Sequence, residues 1–164
     1  MEIERKFLVP KLPADLDRYP FHEIEQAYLC RNPVVRVRRQ DDEYILTYKG
    51  SGKMVREEYN LPLTKEAYEH LVAKADGNRI CKRRTCIPLA PYTVELDVFR
   101  EPFDDMVLAE VEFPTEEEAL AFEPPAWLGE DVTQDDRFHN SRMSQTEYQN
   151  HSFWNEESDP EITK

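Results

Sequence analysis

Cysteine is scarce in this chain, and long apolar runs are missing. The three cysteines, Cys30, Cys81 and Cys86, are odd in number and form no metal-ligand pair. That argues against a disulfide framework or a zinc site and for a reduced, cytoplasmic protein with inert thiols. No apolar stretch approaches the ~20 residues a membrane helix needs. Met1 to Lys6 is charge-rich, unlike a secretory signal. Basic excess is missing as well: the formal net charge is −13, which disfavours a general nucleic-acid coat. There is no strong fixed-period repeat. His22, His70, His139 and His151 show no ligand spacing and read as surface or internally satisfied residues.

What is present sets the outline. The length of 164 residues argues for one domain. Charged residues make up 34% and aromatics 11%; the first exceeds the usual ~25%, and the second argues against wholesale disorder. Residues 1–113 carry 21 acidic and 18 basic side chains, residues 114–164 carry 13 and 3. The expected division is a folded domain over 1–145 and an acidic C-terminal tail over 146–164 whose last residues read as frayed or disordered.

Helix signals are few. Thr64 caps a helical run from Lys65 to Asp76, with Gly77 as its stop. Thr115 to Glu118 is a capping box before a second helix, which Pro124 and Pro125 end. A short turn fits Ala14 to Arg18. The rest before Pro114 reads as eight strands: Glu2–Val9, Glu25–Leu29, Val34–Arg39, Tyr44–Lys49, Val55–Leu61, Ile80–Cys86, Thr93–Phe99 and Val107–Phe113. Asp41-Asp42 and Gly50-Ser51-Gly52 read as hairpin turns. Spacing near ten residues suggests a sheet closed on itself.

Successive side chains in a strand point to opposite faces. One face carries Glu2, Glu4 and Lys6; then Arg36 and Arg38; Thr47 and Lys49; Arg56, Glu58 and Asn60; Lys82 and Arg84; Glu95 and Asp97; Glu110 and Glu112. The other face is apolar. A one-sided sheet with its polar face in water is the common arrangement. Here six of the seven polar faces hold two or more charges, and the charges segregate by strand. That favours a barrel with the charged face inward and the apolar face covered outside by helices or a partner subunit. Arg36, Arg38, Lys49, Arg56, Lys82 and Arg84 suit a dense anion such as phosphate. The pairs Glu2/Glu4 and Glu110/Glu112 suit a hard divalent cation, Mg²⁺ or Mn²⁺, that bridges to phosphate. This is the logic of metal-assisted phosphoryl transfer. A ligand-free salt-bridge network of this size is costly to bury. Tyr28, Tyr44, Tyr59 and Trp127 read as outer-wall or helix contacts. The apolar outer wall exceeds what two helices cover, so a homodimer is an expectation.

The ordered motifs resemble the CYTH superfamily of triphosphate tunnel metalloenzymes. Glu2-Ile3-Glu4-Arg5-Lys6 matches its ExExK signature. Arg36-x-Arg38, Thr47-Tyr48-Lys49, Arg56-x-Glu58, Lys82-x-Arg84, Glu95-Leu96-Asp97 and Glu110-x-Glu112 follow in family order. Trp127 to Thr133, then Phe138-x-Asn140, resemble the closing signature of short bacterial members compared with inorganic tripolyphosphatases. The resemblance spans residues 1 to about 145. Asn60 departs from it where many members carry Glu, Phe138 replaces a Tyr, and Met143 stands at a usual Leu position.

The resemblance implies an α+β, mainly β fold: an eight-stranded antiparallel closed β-barrel with helices packed outside. It also implies a divalent metal and hydrolysis of inorganic triphosphate to pyrophosphate and phosphate. On this reading Glu2, Glu4 and Glu112 hold the metal with Glu110 adjacent, and the six cations clamp the phosphate chain. Lys6 neutralises the phosphate nearest the metal. Glu58 and Asp97 hold a second metal or orient the attacking water, with Glu95 nearby. The alternatives are a class IV adenylate cyclase, a nucleoside or thiamine triphosphatase, or a non-catalytic polyphosphate-binding module. The cyclases carry a His-Phe pair before ExExK that has no counterpart here, and a binding module would lack the four glutamates.

Overall fold

The computed structural model describes residues 1–104 and 106–145; the expected tail over 146–164 lies outside them. The chain forms β1 (Glu2–Leu8), β2 (Phe21–Arg31), β3 (Val34–Gln40), β4 (Glu43–Lys49), β5 (Val55–Arg56), β6 (Glu58–Pro62), α1 (Lys65–Val72), β7 (Asp76–Leu89), β8 (Tyr92–Phe99), β9 (Val107–Glu112), α2 (Glu116–Ala121) and α3 (Asn140–Met143). The strands make one antiparallel sheet in the order β5-β1-β9-β8-β7-β2-β3-β4-β6. Its two edges, β5 and β6, are separated in the chain by Glu57 alone. The sheet therefore comes round on itself, and the backbone closes the barrel where no ladder does.

This closure explains why nine strands stand where eight are expected. The run Val55–Leu61 changes partner at Glu57: Arg56 pairs with Glu2 of β1, and Glu58 pairs with Lys49 of β4. Gly50 to Gly52 accordingly belongs to a long loop between the hairpin strands β4 and β6, and is not a tight turn of its own. Asp41-Asp42 does form the two-residue β3–β4 turn, with Asp41 at φ 53. The first helix is shorter than expected. Thr64 caps it by accepting from the Ala67 amide at 3.0 Å, but it ends at Val72, and Asp76 already pairs with Tyr28. Gly77 lies inside β7 at φ 74, where a Cβ would collide with the Ser144 carbonyl. That close approach, not a helix stop, accounts for the glycine.

Outside, Tyr68 and Val72 of α1 cover Ala27 and Val37. Ala119 of α2, with Phe122, covers Phe7, Leu96, Val111 and Phe113. Tyr44 packs on Tyr68, and Trp127 packs against the second of these clusters. Tyr59 and Leu61 on β6 stay exposed. Inside, the charged faces of β1, β3, β7, β8 and β9 turn apolar one step further along. Leu8, Tyr28, Val34, Ile80, Phe99 and Leu108 come from six strands at the same end of the barrel. They pack with Phe103, Met106, Val132, Phe138 and Met143. The interior is thus charged along most of its length and filled at one end by an apolar plug. No described helix is long and apolar enough to cross a membrane.

Arg5, facing outward from β1, ties the C-terminal segment down. It donates to Asp131 Oδ2 at 2.8 Å and to the Ala119 and Phe122 carbonyls at 2.9 Å. Although partial burial pulls the other way, Thr133 and Arg5 hold the Asp131 carboxyl below its usual range. Its contribution to stability is present above the unfolded value of ~4 and is lost as pH falls through the lower folded one. Asp131→Ala is expected to lower Tm by about 3 °C at pH 7, discounting for exposure. In parallel thermal melts the gap to wild type should shrink towards pH 2; a gap of constant size contradicts the pairing.

Candidate active site

The barrel encloses a cavity of about 250 Å³. Its lining includes Glu2, Glu4, Lys6, Arg36, Arg38, Lys49, Arg56, Glu58, Lys82, Arg84, Glu95, Glu110 and Glu112. Every residue singled out from the charged strand faces is there except Thr47 and Asp97. The sheet order sets the walls. β1 and β9 bring the four metal-candidate glutamates side by side; β3, with Arg36 and Arg38, lies across the closed sheet from them, and β4 places Lys49 beside Glu2.

On the acidic wall Glu4 lies directly opposite Glu112 in the ladder, a placement that is destabilising for like charges. Burial, then Glu110, pushes the Glu4 carboxyl up to about 8. Burial and a hydrogen bond with Glu58 push Glu2 up to about 7. Glu58, against its own burial, is held down at about 2 by Glu2, Lys49 and Asn60. A hydrogen bond between these two carboxylates needs a proton on one of them, and the opposite shifts put it on Glu2. Glu112 is raised by burial and by Glu58. Glu110, against its burial, is held well below the usual range by Lys6 and Arg84. Crowded, desolvated oxygens of this kind suit a hard divalent cation. As the side chains stand, Glu2 accepts from Lys49 Nζ at 2.9 Å, and Glu110 lies 3.5 Å from Lys6 Nζ. Among the described residues no three His, Cys, Asp or Glu side chains are gathered closely enough to hold an ion. The donor set fits the cation; coordination requires these carboxylates to leave their lysines.

The cations fall into two groups. Lys6, Lys49, Lys82 and Arg84 have carboxylate partners within 4 Å. Arg36, Arg38 and Arg56 have none among the described residues; they donate to Thr47, to Gln26 and to the Gly50 carbonyl. Arg36 Nε is buried without a partner. A buried, unsatisfied donor facing a cavity suits an incoming anion. Burial, then Arg36, presses Arg38 down to about 9, which an anion would relieve. Thr47 accepts from Arg36 and donates to Asn60, which donates to Glu58 at 3.1 Å. The residue that departs from the family pattern thus ties Arg36 and Thr47 of β3 and β4 to Glu58 of β6; an ionised Glu in its place could not donate to Glu58.

Asp97, expected to hold a second metal or orient water, is completely buried behind the lining. Its oxygens accept from Lys82 at 2.8 Å and from Arg84 at 2.8 and 2.9 Å. Burial pushes Lys82 down to about 7 while Asp97 resists. Asp97 and Glu95 keep Arg84 charged against its burial. Tyr28, expected on the outer wall, instead faces inward and accepts from Gln26 at 3.0 Å. His139, expected at the surface or satisfied, lines the cavity with Nε2 3.2 Å from the Thr133 carbonyl. Burial and Lys6 push it down to about 4, so it is neutral. Gln26 and Asn140, both buried, are site residues that the strand pattern did not single out.

A closed antiparallel barrel with carboxylates crowded on β1 and β9 and inward guanidinium groups on β3, β5 and β7 defines a polyanion-binding enzyme class. The CYTH domain model matches residues 1–121. An inorganic triphosphatase of Nitrosomonas europaea is 38% identical over 148 residues, covering 87% of this chain and 96% of its own. One of Acetivibrio thermocellus is 31% identical over 153 residues, covering 91% and 96%. The crystal structure of the inorganic triphosphatase NE1496 superposes with a TM-score of 0.66 at 35% identity, covering 88% of this chain and 94% of that one. The chain belongs to the CYTH family, whose members are in general metal-dependent.

Proposed function

We propose that this protein hydrolyses inorganic triphosphate to pyrophosphate and phosphate with Mg²⁺ or Mn²⁺. The observation that carries the reading is the cavity itself: Arg36 and Arg38, without carboxylate partners among the described residues, face the crowded carboxylates of β1 and β9, in a chain 38% identical to an inorganic triphosphatase. Glu2, Glu4, Glu110 and Glu112 would hold the divalent ion, which neutralises phosphate oxygens as a Lewis acid. Arg36, Arg38 and Arg56 take the phosphate chain, since no carboxylate of the described residues competes for them. Lys6 and Lys49 exchange carboxylate partners for phosphate oxygens as substrate enters, while Lys82 and Arg84 meet phosphate oxygens with their bonds to Asp97 kept. Glu58, ionised, accepts a hydrogen bond from the attacking water. The water oxygen bonds to the terminal phosphorus, the bridging P–O bond breaks with its electron pair going to the pyrophosphate oxygen, the water's proton passes to the product phosphate or to solvent, and pyrophosphate leaves with its charge met by the arginines. Asp97 serves by fixing Lys82 and Arg84.

Phosphorus NMR of the protein with Mg²⁺ or Mn²⁺ and, separately, tripolyphosphate, ATP and thiamine triphosphate tests this. Phosphate and pyrophosphate should appear fastest from tripolyphosphate. Cyclic AMP from ATP, or faster turnover of either organic triphosphate, overturns the substrate assignment.

A further inference from the structure

The closing motif that ends at Asn140 takes no part in the chemistry above, yet it reaches the cavity. The Val132 amide donates to the Lys6 carbonyl at 2.8 Å, and Thr133 Oγ1 accepts from the Lys6 amide at 2.9 Å. The Phe138 carbonyl accepts from Lys6 Nζ at 3.0 Å. Asn140 Oδ1 accepts twice, from Lys82 Nζ at 2.7 Å and from Gln26 Nε2 at 3.0 Å. Gln26 Oε1 accepts from Arg38 Nε at 2.9 Å. The proton inventory allows a single assignment. Lysine and arginine only donate, so the Asn140 oxygen faces Lys82 and the Gln26 oxygen faces Arg38. The Gln26 amide nitrogen is then left to bridge to Asn140.

This bridge spans β2, which lies between β7 and β3 in the sheet. It ties Lys82 on one neighbour to Arg38 on the other. Both ties end on neutral amide oxygens, which orient a cation without cancelling its charge. Lys82 lines the cavity with two of its N–H bonds committed, to Asp97 and Asn140, and its ammonium 5.4 Å from the Phe99 ring centre. We infer that Asn140 is a positioning residue: directly through Lys82 and, by way of Gln26, through Arg38, it fixes the spacing of two phosphate-binding cations. The inference rests on the triphosphate reading of the cavity and extends the functional site to the C-terminal segment.

Asn140→Leu keeps most of the volume and removes the acceptor. KM for tripolyphosphate should rise about tenfold while kcat changes less than about threefold. Pyrophosphate binding, measured by calorimetry, should weaken by a similar factor. In a Gln26→Leu background the same substitution should add less, because the bridge is already cut. Wild-type KM and pyrophosphate affinity in Asn140→Leu, or a fall in kcat alone, overturn the inference. Should Asn140→Leu fail to fold, Gln26→Leu decides by the same KM and affinity criteria from the Arg38 side. Wild-type protein that neither turns over tripolyphosphate nor binds pyrophosphate sinks the triphosphate reading itself. Active wild type with an indifferent Asn140→Leu sinks only the role of Asn140.

Discussion

Replacing Glu4 by Gln is expected to cut tripolyphosphate turnover about a thousandfold while raising the melting temperature of the metal-free protein. Both effects come from one placement. Glu4 faces Glu112 across the β1–β9 ladder and lies near Glu110 and Glu2 in a desolvated wall. Without an ion, this carboxylate pays for burial and repulsion and receives little in return. Gln has the same shape and no charge, so the metal-free fold should gain about 1 kcal/mol or more. The sign with pH follows from the raised value of about 8 in the folded state. The unfolded value is ~4.3, so the stability linked to the proton on Glu4 is fully present below that and lost as pH rises towards 8. Glu4→Gln lacks this loss, so its Tm advantage should widen between pH 5 and pH 8. Divalent ion should raise Tm in wild type and far less in the variant. Undiminished turnover of Glu4→Gln at saturating metal would remove Glu4 from the metal site.

The charged wall was readable because a strand has a strict period of two. Glu2, Glu4 and Lys6, or Lys82 and Arg84, fall on one face whatever the rest of the fold does. Which face turns inward was not fixed by alternation alone; the number of charges decided it. The residues missed have different causes. On β2 the inward positions Ile24, Gln26 and Tyr28 mix apolar with amide, and irregularities at Gln26/Tyr28 and Tyr28/Cys30 shift the register. A period count cannot place Tyr28 inside there. Asn140 sits on a four-residue helix outside the strand pattern, and only its spacing after Trp127 marked it. The strand break at Glu57 is a closure effect: it arises because two distant edges must meet, which no local window contains. The apolar plug was missed: Leu8, Ile80, Phe99 and Leu108 each mark where charge stops on one strand, but their meaning depends on all six strands ending together.

Asp97→Asn is expected to be the most damaging single change to the fold, lowering Tm by about 10 °C. Asp97 is fully buried between Lys82, itself 1% exposed, and Arg84. Its two oxygens accept three charge-assisted hydrogen bonds. Asn can accept on one side only, and its amide turns a donor towards a cation. Removing one member of a buried ionic cluster costs more than the cluster's net worth, because the remaining charges stay desolvated. Glu95 and Glu110 still reach Arg84, at 2.9 and 3.4 Å, but neither is paired with Lys82. The same reasoning predicts a partial rescue. Tripolyphosphate or pyrophosphate supplies the missing negative charge from the cavity side, so either should raise Tm more in Asp97→Asn than in wild type. Melts with and without ligand separate the outcomes. A large loss with enhanced rescue places Asp97 as the internal counter-ion of the phosphate-binding cations. A Tm within about 2 °C of wild type would mean that Lys82 is uncharged in the folded protein and that Arg84 is satisfied by Glu95 and Glu110 alone.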